Sequence, residues 1–151
     1  MDSTIWENET IPDTDKVYCF IHSIANVNSK TGKPRAAAFY NTPKQGDNLS
    51  CDWEKYSTPQ ETKARIGQQL KVGTTEFKNP NFFGIVEFIA SILRNEEYNQ
   101  QVNHDPIFNS PEIIGIPNNR SHSIIIGEKD EEIRLKMVEI ANWIIAPNKA
   151  E

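Results

Sequence analysis

Hydrophobic and polar positions fall into two kinds of pattern along the chain. Val17 to Ile24 is rich in β-branched and aromatic residues and reads as a strand with His22 near its end. Ala36 to Tyr40 reads as a second strand and Leu49 to Trp53 as a short third one. Between them lie Asn26 to Pro34 and Asn41 to Asn48, polar segments marked by Gly and Pro that read as loops. Phe82 to Leu93 alternates, with Val86, Phe88, Ala90 and Ile92 on an apolar face and Ile85, Glu87, Ile89 and Ser91 on a mixed one. That alternation predicts a long strand over a core, with a helix as the competing assignment. Gln101 to Ile107 predicts a short strand stopped by Pro106. Ser123 to Ile126 predicts a buried strand ended by Gly127.

Two segments carry helical signals. In Thr58-Pro59-Gln60-Glu61 the Thr58 hydroxyl can accept from the first turn. Pro59 sits where a missing N–H costs nothing, and Glu61 can reach back to the Thr58 amide. A surface helix is predicted from Pro59 to about Gln68. Near the C-terminus Asp130 is a natural N-cap, and Glu131 and Glu132 favour the positive end of the helix dipole. Ile133, Met137, Ile140, Ala141 and Ile144 recur at helical spacing, so an amphipathic helix is expected near 130–145, stopped by Pro147. These elements predict a single α+β domain over 1–151: a mostly antiparallel sheet with helices on one face. Residues 1–14 are expected to be a flexible arm and 147–151 a frayed tail.

Composition narrows the class. The 151 residues are 37% hydrophobic and 25% charged, which suits one globular domain. The formal net charge of −5 and the lack of a Lys/Arg stripe argue against non-specific nucleic-acid binding. No apolar run approaches the length of a membrane span, and the N-terminal residues lack the charged and apolar regions of a signal peptide. The expected location is the cytoplasm. Cys19 and Cys51 read as buried thiols, with a disulfide left open.

Chemistry-bearing residues concentrate in one stretch. Two of the three histidines, His104 and His122, flank one loop together with Asp105 and Arg120. Histidine serves as acid, base or metal ligand near neutral pH. Asp105 can orient an imidazole, and Arg120 can clamp a carboxylate or phosphate. These four are the candidate catalytic residues. The competing reading makes Asp105 a loop cap and residues 118–121 a hydrogen-bonded loop. A site using all three histidines needs His22 as well. HExxH, zinc spacings, GxSxG, GxGxxG and the phosphate-binding loop are all missing, so no cofactor is identified and the metal question stays open. Cys51 beside Asp52 is a poor nucleophile, because an acidic neighbour raises a thiol pKa. Asp52-Trp53-Glu54 could hold a cation but reads more simply as a solvated strand end.

Five short motifs fall in a recognisable order: Leu49-Ser50-Cys51-Asp52, Thr58-Pro59-Gln60-Glu61-Thr62, His104-Asp105-Pro106, Asn119-Arg120-Ser121-His122 and a Gly127-ended strand. Over about residues 36 to 145 the chain resembles a group of small bacterial proteins without an assigned activity. Gln60 stands where that pattern has Glu, and Cys51 where it often has Val. The resemblance implies a bacterial origin and a shared fold, and it places His104, Asp105 and His122 inside the matching motifs. Two functions follow as expectations. One is an accessory or binding component of a larger bacterial assembly, with a protein partner or a second copy. The other is a small hydrolase or transferase acting on a phosphate-containing substrate through the His/Asp/Arg cluster.

Overall fold

The computed structural model describes residues 6–41, 48–71, 73–108 and 118–147. Most of the expected loop at 109–119, part of the loop at 41–48 and all but Pro147 of the expected tail lie outside the described residues. The strands are β1 (Lys16–His22), β2 (Leu49–Trp53), β3 (Phe83–Ile89), β4 (Gln101–His104), β5 (His122–Ile126) and β6 (Asn142–Ile145). They form one six-stranded sheet in the order β4-β5-β2-β1-β3-β6. Every neighbouring pair is antiparallel. The helices are α1 (Ser23–Asn26), α2 (Pro59–Ile66), α3 (Ala90–Arg94) and α4 (Glu131–Ile140). The fold is therefore α+β with an antiparallel sheet. Among the described residues no helix is long and apolar enough to cross a membrane.

The sheet is covered on both faces, not on one. Side chains alternate along a strand, so Val17, Cys19 and Ile21 of β1 point one way and Tyr18 and Phe20 the other. The first set joins Cys51, Trp53, Val86, Phe88, Val102, Ile125 and Met137 of α4 in the main core. The second set meets Ile66 of α2 with Phe83 and Ile85 in a smaller core. The α2 helix thus lies against the sheet by burying Thr62 and Ile66, with Arg65 turned in toward Asp52. Its N-terminus is built as the sequence indicates. The Thr58 Oγ1 accepts from the Glu61 amide, and a Glu61 carboxylate oxygen accepts from the Thr58 amide at 3.0 Å.

Several boundaries differ from the sequence reading, each for a tertiary reason. Ala36–Phe39 is a 3-10 turn rather than a strand. It drives Phe39 wholly into the core, edge-on to Phe88 at 5.5 Å. The expected long strand over 82–93 ends at Ile89. The amides of Ala90 and Ser91 are taken by the carbonyls of Asp15 and Asp13, so the ladder stops and α3 begins. Arg94 closes this corner through an ion pair to Asp13 at 2.7 Å and a hydrogen bond to the Val102 carbonyl. The C-terminal helix stops at Ile140 rather than near 145. Residues 142–145 become β6, which pairs with the open edge of β3. An unpaired sheet edge next to apolar residues is the stronger constraint. Gly84 permits that approach, because a Cβ there would lie 2.6 Å from the Trp143 ring and 2.5 Å from Pro147. At the other end of the sheet Gly127, at φ +151°, ends β5.

The segment expected to be a loose arm is packed from Trp6 onward. Ile11 is buried in the core, Asp15 accepts from the Trp53 indole at 2.8 Å, and Trp6 meets Phe108 edge-on at 5.2 Å.

One carboxylate ties these pieces together. Asp52, in the middle of the sheet, is 7% exposed. Its Oδ2 accepts from the Thr62 hydroxyl at 2.8 Å and from Arg65 at 2.6 Å, which anchors α2. Its Oδ1 accepts from the Asn119 amide at 2.8 Å, which anchors the turn before β5. Asp52→Ala would strand Arg65 and Asn119 among buried groups. The expected loss is about 3 kcal/mol of unfolding free energy, read from urea denaturation. A loss below about 1 kcal/mol would show that the three partners find others.

Candidate functional site

The four candidate residues are brought to the same end of the sheet but not to the same side of it. Strands β4 and β5 do lie together, with His104 opposite Ser123. That register sends the His104 side chain into the same face as Ser123. The next residue back, His122, therefore points to the opposite face, beside Asp52, its partner on β2. Among the described residues the two imidazoles leave opposite faces of the sheet and do not converge, and the joint role expected for His104 and His122 is corrected on that ground. His22 lies farther along β1, paired with Phe83 and in contact with its ring at 4.9 Å. Burial, then the charges of Lys78 and Lys71, lower its pKa.

His104 is built into the frame. It is 2% exposed. Its Nδ1 accepts from the Glu9 amide at 3.0 Å, and its Nε2 donates to the Arg120 carbonyl at 2.6 Å. An acceptor on one nitrogen and a donor on the other is the neutral imidazole. The ring is wedged between Trp53, at 5.0 Å, and Tyr56, at 5.9 Å. Asn8 donates to the His104 carbonyl at 2.7 Å. This histidine holds the N-terminal segment and the Arg120 turn against β4, and no lone pair or proton is left for a substrate.

Arg120 follows His104, not His122. Its guanidinium lies 4.3 Å from the centre of the Tyr56 ring and 3.9 Å from the Glu9 carboxylate. Glu9 also accepts from Lys55 and from the Tyr56 hydroxyl. These two hydrogen bonds hold its carboxyl below the ordinary range, and Glu9 in turn raises Lys55. The result is a surface cluster of exposed Lys55 and Arg120 around a half-buried Tyr56, and the Ile107–Asn119 bridge sets the Trp6–Phe108 pair one residue along the chain from it. Sequence reasoning missed Glu9 and Tyr56. Glu9 was assigned to the arm, and no local pattern links it to Lys55.

On the opposite face His122 has a different environment. Its Nδ1 donates to the Asp105 carbonyl at 2.8 Å and lies 3.6 Å from the Asp105 carboxylate. That fixes the proton on Nδ1 and leaves the Nε2 lone pair facing the Ser50 hydroxyl at 3.1 Å. Ser50 is a diagonal neighbour across β2 and β5. An imidazole held in this tautomer against a hydroxyl can act as a general base toward it. The contact of Asp105 with His122 runs through a backbone carbonyl that any residue at this position would supply, with its carboxylate 3.6 Å from Nδ1. Asp52 and Arg65 are engaged with each other nearby and serve the frame. Among the described residues no group of three or more His, Cys, Asp or Glu side chains is placed to hold a metal ion. Comparison with family models, curated proteins and solved structures gives no match, so the site is read from its geometry.

The two histidines are expected to respond differently to truncation. His104→Ala leaves a cavity and unpaired backbone groups, an expected loss of about 2–4 kcal/mol. His122→Ala is expected to lose less than about 1 kcal/mol, because Asp105 is exposed to solvent. Urea midpoints for the two variants check the contrast, and equal losses would contradict it.

Proposed function

We propose that the chain is a binding component of a larger assembly in the bacterial cytoplasm, and that it docks a protein partner through the patch of Trp6, Phe108, Lys55, Tyr56 and Arg120. The supporting observation is the composition of that surface together with its rigidity. Trp, Tyr and Arg supply most of the binding energy at protein interfaces. Here an exposed Phe108 (51%) and Arg120 (side chain 47%) stand on a support locked by buried His104. Lys55 and Arg120 suit a partner that presents carboxylates around an apolar centre. Native mass spectrometry of the chain purified from its own cells is expected to show a bound protein or a second copy. Phe108→Ala combined with Arg120→Gln is expected to remove it while the melting temperature stays within a few degrees of wild type. A wild-type chain that is bare and monomeric rejects this reading.

A second reading is a small hydrolase, narrowed to one face of the sheet. The Ser50 hydroxyl, 3.1 Å from the free lone pair of His122, favours it. The phosphate clamp loses its support, since Arg120 is directed to the other side. Ser50 would then be the nucleophile and His122 its base, which calls for an acyl or phosphoryl donor such as an ester, whose leaving group departs with the proton His122 takes from Ser50. A fluorophosphonate probe is expected to label Ser50 in the folded wild type and to fail in Ser50→Ala and His122→Ala. An unlabelled wild type excludes it.

A further inference from the structure

The chain's two cysteines, Cys19 and Cys51, are both free and buried. They belong to β1 and β2, where Val17 stands opposite Trp53 and Tyr18 opposite Asp52. The ladder between the two strands ends at that pair, and the same register continued by one step faces Cys19 toward Cys51. Both lie in the main core, on the face of Val17 and Trp53. The Glu54 amide donates to the Lys16 carbonyl, so 16/54 and 18/52 are the hydrogen-bonded pairs, and 17/53 and 19/51 the non-hydrogen-bonded ones. Pairs of the second kind have Cα atoms about 4.5 Å apart and side chains close together. That separation falls within the disulfide range of about 4.4–6.8 Å. The Cys19 thiol is among the groups that raise the Cys51 pKa, as a close neighbour in the same core does.

A buried amine completes the cluster. Lys129 is 7% exposed, and its Nζ donates to Asn41 Oδ1 at 2.6 Å, to the Ile125 carbonyl at 2.9 Å and to the Gly127 carbonyl at 3.1 Å. Its charge interacts with both thiols. Burial lowers the Lys129 pKa to about 8, whereas burial and the Cys19 thiol push Cys51 well up. Cys51 therefore rests as a thiol at neutral pH. The charge of Lys129 favours a thiolate at Cys51 once one forms.

We propose that Cys19 and Cys51 form an oxidative modification site, closed by peroxide into a disulfide that staples β1 to β2. One thiolate attacks hydrogen peroxide: an S–O bond forms, the O–O bond breaks, and hydroxide leaves to take up the proton released by the thiol. The second sulfur attacks the sulfenic sulfur: the S–S bond forms, the S–O bond breaks, and hydroxide leaves with the second thiol's proton as water. Two thiols and one peroxide become one disulfide and two waters. Lys129 acts through the thiolate it stabilises and is not itself consumed. The cross-link encloses residues 20–50 and constrains the unfolded chain.

The test treats the folded chain with hydrogen peroxide and then alkylates it under denaturing conditions. The expected result is a monomer lighter by two hydrogens, protected from alkylation at both positions, with the peptides of Cys19 and Cys51 joined. Its melting temperature should rise by roughly 5 °C and fall back on reduction. Lys129→Met should slow the cross-link several-fold, and unchanged kinetics would remove Lys129 from the site. Two alkylated thiols after peroxide, or only disulfide-linked dimers, would overturn the proposal. This readout needs no variant, so a folding failure in Cys19→Ser or Cys51→Ser does not affect it.

Discussion

A single buried carboxylate sets the arrangement on which the rest depends. Asp52 stands at the centre of an antiparallel sheet, where an unpaired charge is costly. It is tolerated because Thr62, Arg65 and Asn119 converge on its two oxygens. Those partners come from α2 and from the turn that leads into β5, so satisfying the charge positions both. Ser57 joins by hydrogen bonding to the Thr62 hydroxyl at 2.8 Å, and Ser121 by bonding to the Asn119 side chain. Once Asn119 is held, the residues after it enter β5 in one register only. A slip by one residue would turn His122 and Ile124 into the core and Ser123 and Ile125 out of it.

That register decides the chemistry. The expected cluster of His104, Asp105, Arg120 and His122 rested on closeness in sequence across one loop. The strands do meet, yet adjacent positions across a ladder point to opposite faces. One residue of offset separates a structural imidazole, with both nitrogens bonded to the backbone, from an imidazole whose Nε2 faces a hydroxyl. Arg120 is placed by the same turn. Its carbonyl accepts from His104 while its guanidinium stacks on Tyr56, and this removes it from the His122 face.

Local signals were legible where a short stretch contains its own answer. The capping box at Thr58 and Glu61, the Asp130 cap on α4 and the alternation in β1 and β5 need only neighbours within a few residues. The errors come where a distant group overrides a local preference. Residues 90–93 alternate like a strand, but the Asp13 and Asp15 carbonyls take their first amides. Residues 142–145 continue a helical stripe, but the bare edge of β3 recruits them. The segment before Pro12 is polar and reads as loose, yet Ile11 fits the core and Glu9 meets two cations and a phenol. None of these partners can be found by periodicity, because each lies tens of residues away.

The division of polar groups between the two halves of the sheet then explains why candidate sites gather at one end. Strands β1 and β3 pair along seven consecutive positions and carry more of the buried apolar side chains than the other strands, which leaves little room for chemistry. Strands β2, β4 and β5 carry the buried polar side chains Asp52, His104 and Ser123, and Lys129 closes this half from below. Each buried polar group needs a partner, and apart from Thr62 and Arg65 of α2 the partners named above are loop and turn residues: Glu9, Asn119, Arg120 and Asn41. Loops are therefore drawn to this end by hydrogen bonding rather than by hydrophobic burial. Side chains they carry but do not use inward, namely Trp6, Lys55, Phe108 and the Arg120 guanidinium, are left on a rigid surface. Preorganisation of that kind reduces the ordering cost of binding. The same requirement that satisfies a buried imidazole thus fixes the exposed residues best suited to meeting a partner.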